Sequence, residues 1–207
     1  RVLPPVLLEL SRAQLEAGRA DAATATLERA LRLAGAQAGI RAELYEQLRL
    51  AYRRQNRLPE LAERLRGRRG FQAAALLGRI EDELGHDEAA LAAFRRALRR
   101  RPRDLDSRRR IIQILMRSGR LDEAIEAYRA LIRSAPREPR FVIELAQLLV
   151  QTDRRDEALR LVRDAGRRHR RDAALHQQLA ELYTRWGEPE LAAREVERLT
   201  RIDPQDP

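Results

Sequence analysis

The sequence predicts an all-α fold built from repeated helix pairs, and two observations lead to that prediction. One is a pattern of turn glycine, acidic helix start, amphipathic helix and proline stop, seen in residues 119–136 as GRLDEAIEAYRALIRSAP and repeated at a spacing of 34 residues. The other is composition. The apolar 43% of the 207 residues is mostly Ala and Leu, and only 4% of the chain is aromatic. Small and unbranched side chains favour closely packed helices over sheets.

Each piece of the repeated pattern has a local physical reason. Gly119 suits the end of a helix, where a positive φ is cheap for glycine. Acidic residues then fall in the first turn of the next helix, where the helix dipole favours negative charge. The apolar residues Ala124, Tyr128 and Leu131 share one helix face, and Pro136 prevents the helix from continuing.

The same frame recurs on both sides of this stretch. It reads GRADAATATLERALRLAG at 18–35, GHDEAALAAFRRALRRRP at 85–102, DRRDEALRLVRDAGRRHR at 153–170 and GEPELAAREVERLTRIDP at 187–204. A 34-residue period made of two helices resembles the tetratricopeptide repeat. The resemblance implies a right-handed superhelical solenoid of stacked antiparallel helix pairs, in which the first helix of each repeat (helix A) lines a concave groove and the second (helix B) lies outside.

We predict one solenoid domain over residues 1–207, with about six repeats. The second repeat is degenerate, because Asn56 replaces the turn glycine, its helix B from about Pro59 is short, and residues 38–41 form an insertion before it. Four repeats place alanine at one helix B position, where a small side chain lets the two helices approach closely: Ala90, Ala124, Ala158 and Ala192. The predicted repeats are 4–37, 42–70, 71–104, 105–138, 139–172 and 173–206.

Charge and composition exclude several classes of protein. The net charge is +10, and all 42 basic residues are arginine, which either reflects GC-rich codon usage or a need for bidentate anion contacts. The chain lacks cysteine, and therefore a disulfide framework, a thiol nucleophile and a cysteine zinc site, which leaves the compartment open. No apolar run is long enough for a transmembrane helix. Because the chain begins with Arg1, we expect it to be a segment of a longer bacterial protein.

The sequence offers little for catalysis or for binding a metal or cofactor. The histidines His86, His169 and His176 do not have the i, i+4 spacing of a helical metal site, and a surface or packing role is expected for each. Paired acids recur at the helix B starts of the last four repeats, as dipole compensation requires, whereas a catalytic pair would occur once. No nucleotide-binding or hydrolase motif is present. We therefore predict a protein that is not an enzyme and needs no cofactor.

The groove predicted by the resemblance carries mixed charge. The ligand-facing positions of helix A in the family map here onto eight arginines and seven acids among other residues, so the groove is nearly neutral. A nucleic-acid channel should be uniformly basic, whereas mixed charge, glutamines and apolar patches suit an extended peptide or a partner helix. The predicted partner-binding residues are Arg79, Arg109, Gln113, Met116, Arg117, Arg140, Gln147, Gln151 and Gln177.

A second candidate surface is a set of arginines late in helix B, which we call the basic edge. Three repeat positions, four residues apart, are arginine in three successive repeats. Dipole compensation at helix ends explains such residues, and docking of a polyanion such as nucleic acid or acidic lipid is the alternative. The basic edge consists of Arg95, Arg99, Arg103, Arg129, Arg133, Arg137, Arg163, Arg167 and Arg171.

These observations predict a scaffold or adaptor that binds a protein partner through the groove. Polyanion binding along the basic edge is one alternative, and an accessory domain of a larger enzyme is another. The terminal repeat of a solenoid exposes a face that needs a cap, and here it carries Val196, Leu199 and Ile202. We expect further chain or another copy of the protein to cover that face.

Overall fold

The computed structural model describes residues 3–35 and 37–202, and in these residues it contains helices and no strand, which confirms the all-α prediction. Twelve helices cover this part of the chain, two for each of about six repeats. They are α1 Pro4–Glu16, α2 Ala20–Leu33, α3 Ala38–Arg54, α4 Leu58–Arg66, α5 Phe71–Glu83, α6 Asp87–Arg100, α7 Leu105–Arg117, α8 Leu121–Ser134, α9 Arg140–Gln151, α10 Arg155–Arg168, α11 Ala173–Arg185 and α12 Pro189–Ile202.

The helices fall into two compact units, divided between Ser118 and Gly119. Unit 1 contains α1–α7, and unit 2 contains α8–α12. Within each unit, consecutive helices pack as antiparallel neighbours, and every helix B also packs on the helix A that follows it. The prediction that a single domain spans residues 1–207 stays a prediction.

The core of each unit lies between consecutive helices and is made mainly of Leu, Ala and aromatic side chains. Leu27, Leu61 and Ile80 are among the fully buried residues of unit 1, and Phe141 and Tyr183 are among those of unit 2. Because interiors are close-packed, the volume at each crossing point is set by the residues there.

Small residues do mark these crossing points, as the sequence predicts. At the crossings within a unit, Ala90 and Ala158 have no exposed surface and Ala192 is largely buried. Ala124 of α8 is fully buried as well. Across the first of these crossings, a Cβ added to Gly78 in α5 would lie 2.8 Å from ring carbons of Phe94 in α6. The close approach of α5 and α6 therefore depends on the absence of a side chain at Gly78.

The sequence does not predict a structure for residues 38–41, the insertion before the second repeat. They form the first turn of α3, which is therefore 17 residues long. The extra turn is stabilised locally, because Ile40 packs against the core of unit 1 and Arg41 donates a hydrogen bond to the carbonyl oxygen of Gly35 at 3.0 Å. Asn56 has a positive φ of 53°, and α4 has only nine residues, both as predicted.

The acids at the helix B starts occupy the first turn of α6, α8, α10 and α12, as dipole compensation predicts. The starts of α6, α8 and α10 have no side-chain cap. Two helices of the A type do have side-chain caps, since Asp104 accepts a hydrogen bond from the backbone N–H of Ser107, and Asp172 accepts one from Leu175.

Candidate protein-interaction surface

In unit 1, arginines on helix A of one repeat reach acids on helix A of the next. Arg12 of α1 forms an ion pair with Glu43 of α3. Arg49 of α3 continues the series, with its Nη1 atom 2.7 Å from Oε2 of Glu83 in α5. The partners are 31 and 34 residues apart, about one repeat, so these ion pairs connect neighbouring repeats.

Arg79 is predicted to bind a partner, but it is engaged inside unit 1. Its Nη1 atom is 3.4 Å from Oε2 of Glu46 in α3, and its Nη2 atom is 2.8 Å from Oδ2 of Asp106 in α7. Burial opposes the charge on Glu46, but the hydrogen bonds and charges of Arg49 and Arg79 outweigh burial and lower its pKa. One arginine therefore bridges the repeats on either side of its own.

Arg117 is a second predicted groove residue that is engaged by the chain itself. Its Nη2 atom is 2.9 Å from Oδ1 of Asp82 and 2.5 Å from Oδ1 of Asp87. Hydrogen bonds from Ser118, first, and from Arg117 lower the pKa of Asp87, and the bonds to Asp82 and Asp87 raise the pKa of Arg117. Asp87, at the start of helix B, thus compensates the helix dipole and also forms an ion pair with an arginine of the next repeat.

The remaining predicted residues of unit 1 lie on the same helix as Arg117. Arg109 and Gln113 are exposed on α7. Met116 is exposed as well, with 38% of its surface accessible, which is unusual for a large apolar side chain. These three side chains lie on a helix that also forms ion pairs with the preceding repeat, through Asp106, Arg110 and Arg117.

The helix A face of unit 2 has a different chemistry. Gln147 is half-buried on α9, and Gln151 and Gln177 are exposed on α9 and α11. In the part of unit 2 that the structure describes, no hydrogen bond within the chain engages these three side-chain amides. Arg140 lies over the ring of Phe141, 4.7 Å from its centroid, and its Nε atom is 3.3 Å from Glu138.

The basic edge is mostly exposed, but its members are not equivalent. Arg129 is half-buried and forms ion pairs with Glu126 and Glu157. Arg167 lies 3.7 Å from Asp164, a pair within one helix. The other residues of this edge are exposed: Arg95, Arg99, Arg103, Arg133, Arg137, Arg163 and Arg171.

The packing role expected for His176 in unit 2 did not include its pairing with a buried carboxylate. His176 is completely buried, and its Nδ1 atom is 2.5 Å from Oε2 of Glu195, whose other oxygen accepts a hydrogen bond from Arg198. Burial and, second, the charge of Glu195 raise the pKa of Tyr183 to about 12. The repeat register would have found His176, since it occupies the core position held by Val142 one repeat earlier.

Two properties bear on the functional class. Among the described residues, no cluster of three or more His, Cys, Asp or Glu side chains could hold a metal ion. None of the helices in that part of the chain combines the length and the apolar character needed to cross a membrane.

Comparison with known families decides the identity of the repeat. Two family models, both described as tetratricopeptide repeat, match residues 75–139 and 115–178, and together they span just over half of the chain. The chain belongs to the tetratricopeptide repeat family. No curated protein sequence matches it.

Solved structures of other tetratricopeptide repeat proteins have a similar fold. MamA is 20% identical and aligns over 83% of this chain and 94% of its own, with a TM-score of 0.57. PilF of Pseudomonas aeruginosa is 16% identical over 98% of this chain and 93% of its own, with a TM-score of 0.55. YrrB, described as a tetratricopeptide repeat protein with an unusual peptide-binding site, is 19% identical over 78% and 84%, with a TM-score of 0.50.

Membership gives a general function. Tetratricopeptide repeats form a protein-interaction fold, whose members bind protein or peptide partners and are generally not enzymes. The similarity to the solved structures extends to the fold alone, because all three identities are below 25%.

Proposed function

We propose that the chain is a non-enzymatic scaffold that binds an extended peptide segment of a partner protein on the helix A face of unit 2. The observation that supports this proposal is the set of three side-chain amides, Gln147, Gln151 and Gln177, that the chain does not use itself. The arginines Arg79 and Arg117 of unit 1, by contrast, already have acidic partners.

The amides suit the backbone of an extended peptide. A glutamine side chain both donates and accepts hydrogen bonds, and each peptide unit of an extended segment offers one donor and one acceptor that need partners when water is removed. Gln147 and Gln151 are four residues apart on α9, so they lie next to each other on one side of the helix. Two adjacent amides can therefore bind successive peptide units.

Apolar side chains beside the amides provide the second part of the site. Ile143 and Val150 are half-buried on α9, and with Gln147 they have the i, i+4, i+7 spacing of one helix face. An apolar side chain of the bound peptide would cover the exposed parts of Ile143 and Val150. The amides then hold the peptide backbone, while this apolar patch selects its sequence.

A library of immobilised random-sequence peptides tests the proposal. We expect the chain to enrich a set of peptides, and we expect the double variant Gln147→Ala, Gln151→Ala to weaken binding of an enriched peptide at least about tenfold in fluorescence anisotropy. Each lost hydrogen bond contributes about 0.5–1.5 kcal/mol, so two of them account for that change. The melting temperature should not move, because neither amide supports the fold.

Adjacent glutamines on α11 provide the matched control. Gln177→Ala should weaken binding, whereas Gln178→Ala changes a side chain about 100° around the same helix and should not. Failure to enrich any peptide, or equal affinity of the double variant and the unmodified chain, would contradict the proposal. The accessory-domain and polyanion alternatives stay predictions.

A further inference from the structure

A cavity of about 340 Å³ lies between α4, α5 and α6 of unit 1. Its apolar lining consists of Leu77, Ala89, Ala92 and Ala93, of which Leu77 and Ala93 are buried. None of its lining residues occupies a ligand-facing position of helix A, so the cavity is separate from the groove. Small-molecule sites in proteins have volumes from about 300 Å³ upward, so this cavity is large enough for a small ligand.

The cavity lies beside the end of α4, which is shorter than the other five helices of the B type. α4 has nine residues, whereas each of the others has 14, so a helix B of that length would extend about 7.5 Å further. Arg96 of α6 donates hydrogen bonds at this end, to the carbonyl oxygens of Arg66 at 2.9 Å and Leu65 at 3.4 Å. Because the last carbonyls of a helix point beyond its C-terminal end, this guanidinium occupies space that a longer α4 would fill.

Glu81 also lines the cavity, at a repeat position that elsewhere belongs to the core. It is 1% exposed, and the residues at its position in four other repeats are buried and are leucine or tyrosine: Tyr52, Leu115, Leu149 and Tyr183. Its Oε1 atom is 3.1 Å from Nη2 of Arg66, and its Oε2 atom is 2.8 Å from Nδ1 of His86. The chain itself therefore provides a partner for each oxygen of this buried carboxylate.

The positive charge that remains at the cavity belongs to α6. Arg66 pairs with Glu63 as well as with Glu81. Arg96 and Arg99 line the same cavity, and in the described part of unit 1 neither has a carboxylate partner. They are three residues apart, so they are neighbours on one side of α6. The cavity thus combines an apolar surface with two arginines that the chain does not neutralise.

We propose that this cavity binds a small amphipathic anion. Its carboxylate or phosphate group contacts Arg96 and Arg99, since arginine binds both kinds of oxyanion through two parallel N–H donors. Its short apolar group packs on Leu77 and the alanines, which removes apolar surface from water. A single-stranded nucleic acid fits less well, because none of the lining residues is aromatic and could stack on a base. The inference is independent of the peptide site, which lies on α9 and α11.

Nuclear magnetic resonance of the chain with isotope-labelled alanine methyl groups tests the proposal, with hexanoate as the probe. The signals of Ala89, Ala92 and Ala93 should shift together along one binding curve. Acetate should bind at least about tenfold more weakly, because burial of two of the four additional methylene groups of hexanoate accounts for that factor. Hexyl phosphate carries the other oxyanion, and the probe that binds more tightly identifies the ligand as a carboxylate or a phosphate ester.

Two neighbouring arginines on α6 provide a matched pair of variants. Arg99→Gln should weaken hexanoate binding at least about tenfold, since it removes a charged hydrogen-bond donor. Arg100→Gln removes the same charge about 100° around the helix, outside the cavity, and should leave the affinity close to that of the unmodified chain.

A second pair of variants tests the apolar part of the cavity. Ala92→Leu fills the cavity and should abolish binding, and the fold should tolerate it because Ala92 is exposed. Ala22→Leu adds the same side chain at an exposed position of α2 and should bind hexanoate normally. Should Ala92→Leu lose helical circular dichroism, the arginine pair alone decides. Alanine signals that do not shift, equal affinity for acetate and hexanoate, or equal weakening by Arg99→Gln and Arg100→Gln would each overturn the proposal.

Discussion

The two units use the same repeat positions on helix A for different chemistry. Arg79 in unit 1 and Gln147 in unit 2 occupy one position, and Glu46 and Gln177 occupy another. Arg79 bridges Glu46 and Asp106, whereas the chain makes no hydrogen bond to either glutamine side chain in the described part of unit 2. In unit 1, ion pairs at these positions connect neighbouring repeats. In the described part of unit 2, the side chains at the same positions have no hydrogen-bond partner within the chain.

The difference shows that a groove arginine cannot be interpreted from its repeat position alone. What decides its role is whether an acid lies about one repeat away on the neighbouring helix, as Asp106 does for Arg79 and Asp82 does for Arg117. Exposed ion pairs of this kind contribute little individually, about 0.2–1 kcal/mol each. Their main effect is to remove the donors that a ligand would need.

The largest expected effect comes from glycines at helix crossings, one in each unit. Gly78→Ala should destabilise unit 1 by about 1–3 kcal/mol, because the new Cβ would lie 2.8 Å from the buried ring of Phe94. Gly166→Ala in unit 2 places its Cβ 3.1 Å from Cδ1 of Leu179, the end of a side chain that can rotate. The gain in helix propensity, about 1 kcal/mol, should cancel most of that strain.

Denaturation followed by circular dichroism measures both changes, and hydrogen exchange assigns each to its unit. The exchange protection of α5 and α6 should fall in Gly78→Ala, while that of α10 and α11 should stay close to the unmodified value in Gly166→Ala. Equal losses in the two variants would show that the crossing in unit 2 is packed as tightly as the crossing in unit 1.

A smaller effect is expected from acid, through Glu46. Its folded-state pKa is lowered, so Glu46 contributes stability above its unfolded pKa near 4.5, and this contribution disappears as pH falls through the folded value. In Glu46→Gln, the stability of unit 1 should therefore depend less steeply on pH below about 4.5. Urea denaturation across that range measures the slope.

Unit 2 offers the matched control at the same repeat position. Gln177→Glu introduces a carboxylate there without a neighbouring arginine in the described contacts, so it should add no acid-dependent stability. If both variants change the pH slope equally, the ion pairs of Arg49 and Arg79 do not stabilise the charged form of Glu46.

Much of the fold could be predicted from the sequence, because the turn, the helix start and the small crossing residue of each repeat depend on residues within that repeat. The positive φ of Asn56, the short α4 and the buried Ala90, Ala124 and Ala158 all follow from local chemistry within one repeat. The first turn of α3 could not be predicted, since the packing of Ile40 against the core decides it.

The candidate site was less predictable, for a related reason. Arg79 and Arg117 form ion pairs with acids about one repeat away. The pattern of a single repeat does not show which side chains of neighbouring repeats come within contact distance. His176 is instructive, because the surface and packing roles considered for it both overlooked Glu195, 19 residues later on α12. The repeat pattern does not show which polar side chains on different helices form a pair.

Substitutions in the basic edge should change stability least. The part of this edge in unit 1 can be compared with the part in unit 2. Arg129 already pairs with Glu126 and Glu157, so it is not available to a partner. The window 95–110, in contrast, holds nine arginines and two acids, more positive charge than compensation of one helix dipole requires. An acidic partner or a polyanion would relieve the repulsion among these arginines.

The triple variant Arg99→Gln, Arg133→Gln, Arg167→Gln removes one arginine from each repeat of the basic edge and should leave the melting temperature unchanged, since Arg99 and Arg133 are exposed and the Arg167 pair is long. It should elute from heparin at a lower salt concentration than the unmodified chain, because fewer condensed counterions are released on binding. The control Arg29→Gln, Arg160→Gln, Arg194→Gln removes the same charge at exposed positions outside this edge. Equal elution of the two triple variants would mean that heparin responds to net charge alone, and the basic edge would then be a solvated helix face.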